Sequence, residues 1–210
     1  MSHPSLFSGL STKASRERVV LEHGAWLEYV PGWLSEREAT ELFERLFSET
    51  AWQQREIVLF GRRVMQPRLV AWAGEVSYGY SGQVLAPRPP SRLLVELLRR
   101  VSSQAGVAFN HILLNRYRGG QDSMGLHADD EPELGPEPRL ASLSLGAPRR
   151  FVVLPRRRDL GRWECTLRHG SLLLMGGTLQ RYYRHGVPRT KQAVGERLNL
   201  TFRRINAGPG

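Results

Sequence analysis

Two amphipathic segments in the first half and a run of short strands in the second predict an α+β fold, with two helices packed on a C-terminal β core. The helices are marked by apolar residues at helical spacing after Ser35 and again after Ser91. The core is marked by a change of texture at His111, where short apolar runs begin to alternate with turns. The chain has 210 residues, 40% of them hydrophobic, and a single cysteine. A chain of that size buries roughly 70% of its unfolded surface and needs no disulfide to fold.

In chain order, residues 1–20 are polar with little periodicity and read as a flexible tail. A strand follows at Trp26–Val30. Ser35, with Glu38 three residues on, forms a capping box, and Ala39, Leu42, Phe43, Leu46 and Phe47 then share one helical face. The stretch 52–72 reads as two strands around Gly61, residues 78–82 as turn-rich, and residues 87–90 as a Pro-rich link. A second helix, opened by Ser91, buries Leu93, Leu94, Leu97, Leu98 and Val101 and stops near Gly106. Seven strands are expected beyond it, at 112–117, 140–145, 151–154, 163–167, 171–175, 182–185 and 198–204. That spacing suits a closed barrel or a double-sheet jelly roll. The divisions are 1–20, 21–106 and 107–206, within one structural domain.

Charge is uneven. Residues 1–137 carry 15 basic and 17 acidic side chains, whereas residues 138–210 carry 15 basic and 3 acidic. The whole positive excess lies in the last 73 residues, which points to a polyanion such as nucleic acid. Of the 30 cations 28 are Arg, which suits bidentate phosphate contacts. Six carboxylates crowd into residues 122–137, suggesting an acidic pocket inside a basic protein. No run of about 18 apolar residues exists, so no membrane span is expected. Nor does the N-terminus have the order of a signal peptide. The expected location is the cytoplasm of a bacterium or the nucleus of a eukaryote, and the expected state is a monomer.

Two constellations carry chemistry. His127 and Asp129 form an H-x-D pair, and on a strand residues two apart share a face. His169 and His185 are candidates for a third ligand. Two imidazoles and one carboxylate describe a facial triad that leaves metal positions open. His3, His23 and His111 read as structural or simply exposed. In the second constellation Arg197, Asn199, Thr201 and Arg203 alternate with Leu198, Leu200 and Phe202. The four polar groups share one strand face. Two arginines aimed into a core call for anions, and a dicarboxylate fits.

With both constellations in view, the sequence resembles the AlkB-like Fe(II)/2-oxoglutarate dioxygenases over residues 26–205, in the branch of the second and third human AlkB homologues. The blocks that carry the likeness are Pro67-Arg68, Tyr80-Ser81-Gly82, Leu114-Asn115-Arg116-Tyr117, His127 through Glu131, His169 through Leu173, and Arg197 through Arg203. The resemblance implies a double-stranded β-helix (jelly-roll) core with N-terminal helices packed on one sheet and a nucleotide-recognition lid within 21–106. It implies Fe(II) on His127, Asp129 and His185, and 2-oxoglutarate among Asn115, Tyr117, Arg197, Asn199, Thr201 and Arg203, with O2 as co-substrate. Arg197 would meet the distal carboxylate. Tyr80, with Ser81 beside it, would stack on the damaged base, Tyr78 would line that pocket and Asp130 would hold the base. Phe60 would fill the gap of a flipped base, Arg68 would lie near the opposing strand, and Arg189 and Lys191 would touch phosphates. The implied reaction is oxidative demethylation of alkylated bases in DNA. The alternatives are the same chemistry on RNA or a protein side chain, and a non-catalytic nucleic-acid-binding module.

Overall fold

The computed structural model describes residues 16–59, 62–80 and 83–206. Fifteen strands and three α-helices lie within them. The strands are β1 (Glu17–Val20), β2 (Trp26–Val30), β3 (Glu56–Leu59), β4 (Arg62–Met65), β5 (Leu69–Gly74), β6 (Tyr78–Tyr80), β7 (Gln83–Leu85), β8 (His111–Tyr117), β9 (Met124–His127), β10 (Leu140–Gly146), β11 (Arg149–Pro155), β12 (Trp163–Leu167), β13 (Ser171–Gly176), β14 (Tyr183–Val187) and β15 (Arg197–Arg203). The helices are α1 (Glu36–Glu49), α2 (Arg92–Ala105) and α3 (Leu179–Tyr182).

Two antiparallel sheets form the jelly roll. The larger has the order β1-β2-β13-β10-β15-β8-β5 and the smaller β12-β11-β14-β9. The hairpins β3–β4 and β6–β7 stand apart as two-stranded sheets.

Helices α1 and α2 form where the sequence places them because their ends are satisfied, whereas α3 falls where no helix was expected. Ser35 Oγ accepts from the Glu38 amide while Glu38 Oε2 accepts from the Ser35 amide, so both halves of the capping box are made. Ser91 caps α2 through the Leu94 amide, and Gly106 ends it at φ 65°. Leu42, Leu46, Leu97 and Val101 then pack with Leu143, Leu198, Leu200 and Phe202 on the outer face of the larger sheet. A second core, including Leu27, Tyr117, Phe151, Leu173 and Val187, fills the space between the sheets. Strand β15 therefore has one face in each environment, and its alternation is what separates the helix-side core from the site.

Three local readings need correction. The flexible tail expected over residues 1–20 does not hold at its end, because Glu17–Val20 pairs with Trp26–Tyr29 at the sheet edge, and residues 1–15 lie outside the described residues. The 52–72 stretch yields three strands, the third of which, β5, joins the larger sheet beside β8. In the stretch expected to be turn-rich, Tyr78–Tyr80 pairs with Gln83–Leu85. Among the described residues no helix is long and apolar enough to cross a membrane.

Candidate active site

The site opens between the two sheets, lined by β8, β9, β14 and β15. Its walls include Tyr117, Met124, His127, Asp129, Ser142, His185, Arg197, Asn199, Thr201 and Arg203. His127 closes β9 and is the register partner of His185 on β14. The next residue of β14, Gly186, is wedged against the Met124 and Gly125 carbonyls, and a Cβ there would lie 2.8 Å from Met124 O. A side chain would push apart the two strands that present the histidines.

Asp129 lies beyond the end of β9, so strand alternation is not what aims it at His127. Gln180 of α3 supplies the placement instead. Its side-chain oxygen accepts from the Asp129 amide at 3.0 Å. Arg156 braces the next residue, donating to the Asp130 carboxylate at 2.6 Å and to the Gln180 carbonyl at 3.2 Å.

His127, Asp129 and His185 each offer a ligand atom, and the three atoms lie within 4.8 Å of one another. His127 Nδ1 lies 2.9 Å from Gly125 O. With the proton on Nδ1, Nε2 keeps its lone pair for a metal. Burial, and then His185 nearby, push the His127 imidazole down to about 4, so it is neutral at pH 7. Burial opposes ionisation of Asp129, but the Arg203 guanidinium, 2.6 Å from Oδ1, overrides it and holds the carboxyl well below its usual range. Asp129 Oδ2 is buried without a hydrogen-bond donor, 3.5 Å from His185 Nε2.

The two arginines of β15 differ in a way the alternation cannot show. Arg203, 1% exposed, pairs with Asp129. Arg197 is equally buried, but among the described residues it has no carboxylate partner and donates from Nη2 to Ser144 Oγ at 2.9 Å. Its Nε and Nη1 have no acceptor, and it stands 5.0 Å over the Tyr117 ring. Burial pushes this guanidinium down from its ordinary range. A buried cation without a carboxylate is costly, so the arrangement suits an anion arriving from outside. Asn199 donates to Ser142 Oγ at 2.7 Å and accepts from Thr201 Oγ1 at 3.2 Å, which fixes the pocket wall between the two arginines.

A family model for the 2OG-Fe(II) oxygenase superfamily matches residues 26–203. The chain is 38% identical over 188 residues to alpha-ketoglutarate-dependent dioxygenase alkB homolog 3 of Bos taurus, covering 85% of this chain and 66% of that protein. It is 36% identical over 181 residues to DNA oxidative demethylase ALKBH2 of Homo sapiens, covering 80% and 69%. The chain thus spans about two thirds of these relatives' length. The chain belongs to the AlkB-like 2OG-Fe(II) oxygenases. The solved structure of OsALKBH1 shares the fold of this AlkB-like chain, at TM-score 0.58 and 18% identity, over 85% of this chain and 96% of that one.

The family name implies Fe(II) and 2-oxoglutarate, and the residues fit both. A neutral imidazole, an ionised carboxylate and a second buried imidazole form an open donor set for the metal. Arg197, with Nε and Nη1 unpartnered among the described residues, fits a carboxylate.

Of the other AlkB-like site candidates, several stand elsewhere than expected. Arg68 is 4% exposed and donates to Asn115 Oδ1 at 2.8 Å, so it braces β8 rather than facing an opposing strand. Asn115 is buried beside the pocket with Nδ2 unpartnered, and it is not among the lining residues. Tyr78 is fully buried, 5.6 Å from the Arg203 guanidinium and edge-on to His111, so it supports the site from behind. Asp130 is exposed and bound by Arg156, which leaves its carboxylate already engaged. Arg189 and Lys191 are exposed, on a segment joined to Gly120 by the Thr190 amide. His169 is no ligand: its Nδ1 accepts from the Gly146 amide at 2.7 Å. Tyr80 closes β6 in register with Gln83, while its side chain, Phe60 and Ser81 lie outside the described residues.

The acidic pocket is smaller than the carboxylate count suggests. Asp122 pairs with Arg118, Asp129 with Arg203 and Asp130 with Arg156. Glu131 has no such partner among the described residues. Its Oε2 is buried without a donor, and burial, then Asp129, push its carboxyl up. Glu131 and Gln180 are the site residues that the sequence reading passed over. Glu131 stood inside a quoted block, whereas nothing in the local pattern marked Gln180.

Proposed function

We propose that the chain oxidatively demethylates alkylated bases, of the 1-methyladenine and 3-methylcytosine type, in DNA. The reaction uses Fe(II), 2-oxoglutarate and O2 and releases formaldehyde, succinate and carbon dioxide. The observation that carries the reading is Arg197, a fully buried guanidinium with two idle donors in the same pocket as an open His-Asp-His set. The substrate class rests on the named activity of the ALKBH2 relatives and on the basic second half of the chain.

His127, Asp129 and His185 would hold Fe(II), which with 2-oxoglutarate supplies the oxidation of the N-methyl group. Arg197 would bind the distal carboxylate of 2-oxoglutarate, with Tyr117 against its chain. Asn199, Thr201 and Ser142 keep that wall rigid. Arg203 orients Asp129 and keeps it ionised. Tyr80 and Ser81 would hold the extruded base and Phe60 would fill its place in the stack, since a base within a duplex must leave it to be reached. Arg189 and Lys191 would meet phosphates, with the protein acting as a monomer.

The test is an oligonucleotide with one 1-methyladenine, given as single-stranded DNA, duplex DNA and RNA, with mass spectrometry reading the methyl group. Loss that needs 2-oxoglutarate and disappears in Asp129→Ala supports the proposal. Loss from RNA alone moves the substrate to RNA. Succinate formation without methyl loss from any strand rejects a nucleic-acid substrate, and neither product from iron-loaded protein leaves a binding module.

A further inference from the structure

We propose that Arg55 and Arg88, stacked on Trp72, form a phosphate-binding site for the nucleic-acid strand that delivers the base. The inference rests on the function proposed above.

Trp72 lies at the centre of β5, the edge strand of the larger sheet. It is in register with Leu113, which is in register with Thr201 of the pocket wall, so the indole stands on the same sheet face as the site. Two backbone bridges dock segments to β5 on either side of it. Gln53 pairs with Val70 through bonds of 2.9 and 2.8 Å, and Arg88 pairs with Gly74 through two bonds of 2.8 Å. These bridges carry Arg55 and Arg88 to the same ring. The guanidinium carbons lie 4.9 and 4.5 Å from its centroid. The indole N–H donates to Ala86 O at 2.8 Å, just beyond β7, which fixes the ring beneath the β6–β7 hairpin.

A guanidinium held over an indole ring keeps N–H donors available for other partners. Both residues are half-buried, and among the described residues no carboxylate lies within 4 Å of either. Glu56, the nearest acid in sequence to Arg55, reaches Arg63 instead, at 3.7 Å. Two cations each within about 5 Å of one ring centroid repel each other, and an anion that meets both relieves that repulsion. They do not belong to the basic excess of the C-terminal half, because residues 1–137 carry more acidic than basic groups. An anion that meets both side chains would sit where the Gln53 and Arg88 bridges join β5. A phosphodiester backbone provides successive singly charged oxygens with no demand on base sequence.

The test is binding of fluorescein-labelled, unmethylated oligonucleotides, in DNA and RNA versions, followed by anisotropy over a salt series. The proteins are the full chain, Arg55→Gln, Arg88→Gln, the double variant, and Lys at both positions. Each lost phosphate contact makes the slope of log K against log salt shallower by about 0.7 for a single strand. The double variant should therefore lose about 1.4, and the double Lys variant should recover most of it. Arg37→Gln, on the exposed face of α1, should leave the slope unchanged. A double variant that binds with the wild-type slope overturns the site, whether or not its melting temperature has fallen. A wild-type chain that binds neither strand overturns the site and the nucleic-acid function together.

Discussion

Arg197 and Arg203 occupy the same face of the same strand, each 1% exposed, yet they predict opposite responses to the same change. Replacing Arg203 with Met leaves Asp129 buried and unpaired, which costs about 3–5 kcal/mol. Replacing Arg197 with Met removes a buried charge that has no carboxylate partner, so the metal-free protein should keep its stability or gain about 1–4 kcal/mol. The same Arg197→Met chain should lose 2-oxoglutarate affinity by 100-fold or more, at about 1.4 kcal/mol per tenfold. Urea unfolding and calorimetric titration read the two effects, and loss of stability in Arg197→Met with affinity intact would refute the assignment. His111 makes a further prediction. It is 1% exposed, both ring nitrogens lack partners, and burial, then Arg203, push it down to about 3. Its folded value lies below the unfolded one, so the unfolded chain binds more protons between about pH 3 and 6.5. Stability is fully present above pH 6.5 and falls as pH falls through that window, by at most about 1.4 kcal/mol per unit. Urea midpoints should decline less steeply with acid in His111→Leu than in the parent, and parallel curves would contradict the account. The alternation 197–203 was legible because one face of the strand packs on the helix-side core while the other lines the polar pocket, which forces polar and apolar residues to alternate. Arg68 was placed near the opposing strand by resemblance alone, and only the contact with Asn115 shows that it is buried.

At the scale of elements, α1 and α2 were legible to their caps, and α3 was not. Ser35, Glu38, Ser91 and Gly106 are local signals that satisfy local backbone groups. Strands β1 and β6 were missed because their partners, not their own sequence, define them. The segment carrying Asp129 was misread for a related reason. It was taken for strand, but β9 ends at His127, and a contact 51 residues away in sequence replaces the missing ladder bond. Gln180→Leu should keep the fold yet weaken Co(II) binding, a spectroscopic stand-in for Fe(II), by about 10–100-fold, as for other outer-shell partners of metal ligands. Gln180→Glu keeps the accepting oxygen and should lose less. Equal affinity in Gln180→Leu and the parent, by visible-absorbance titration, would show that Asp129 needs no such support.

Across the whole molecule, the sequence fold class held because two packing surfaces share β15, and both left a periodic trace. The charge asymmetry was legible as a count but not as a surface. Within the carboxylate-rich stretch Asp122, Asp129 and Asp130 all meet arginines, so proximity in sequence overstated the pocket's negative charge. The Arg-Trp-Arg tier at β5 was invisible for the converse reason, since Arg55, Trp72 and Arg88 lie far apart in the chain. What joins these parts is the claim that one pocket couples 2-oxoglutarate to methyl loss from nucleic acid. The most direct measurement counts formaldehyde released and succinate formed on the same 1-methyladenine oligonucleotide, in the parent and in Arg197→Met. The account predicts one formaldehyde per succinate in the parent, and loss of both in Arg197→Met at limiting 2-oxoglutarate. Succinate formation that neither rises with methylated strand nor depends on Arg197 would contradict it.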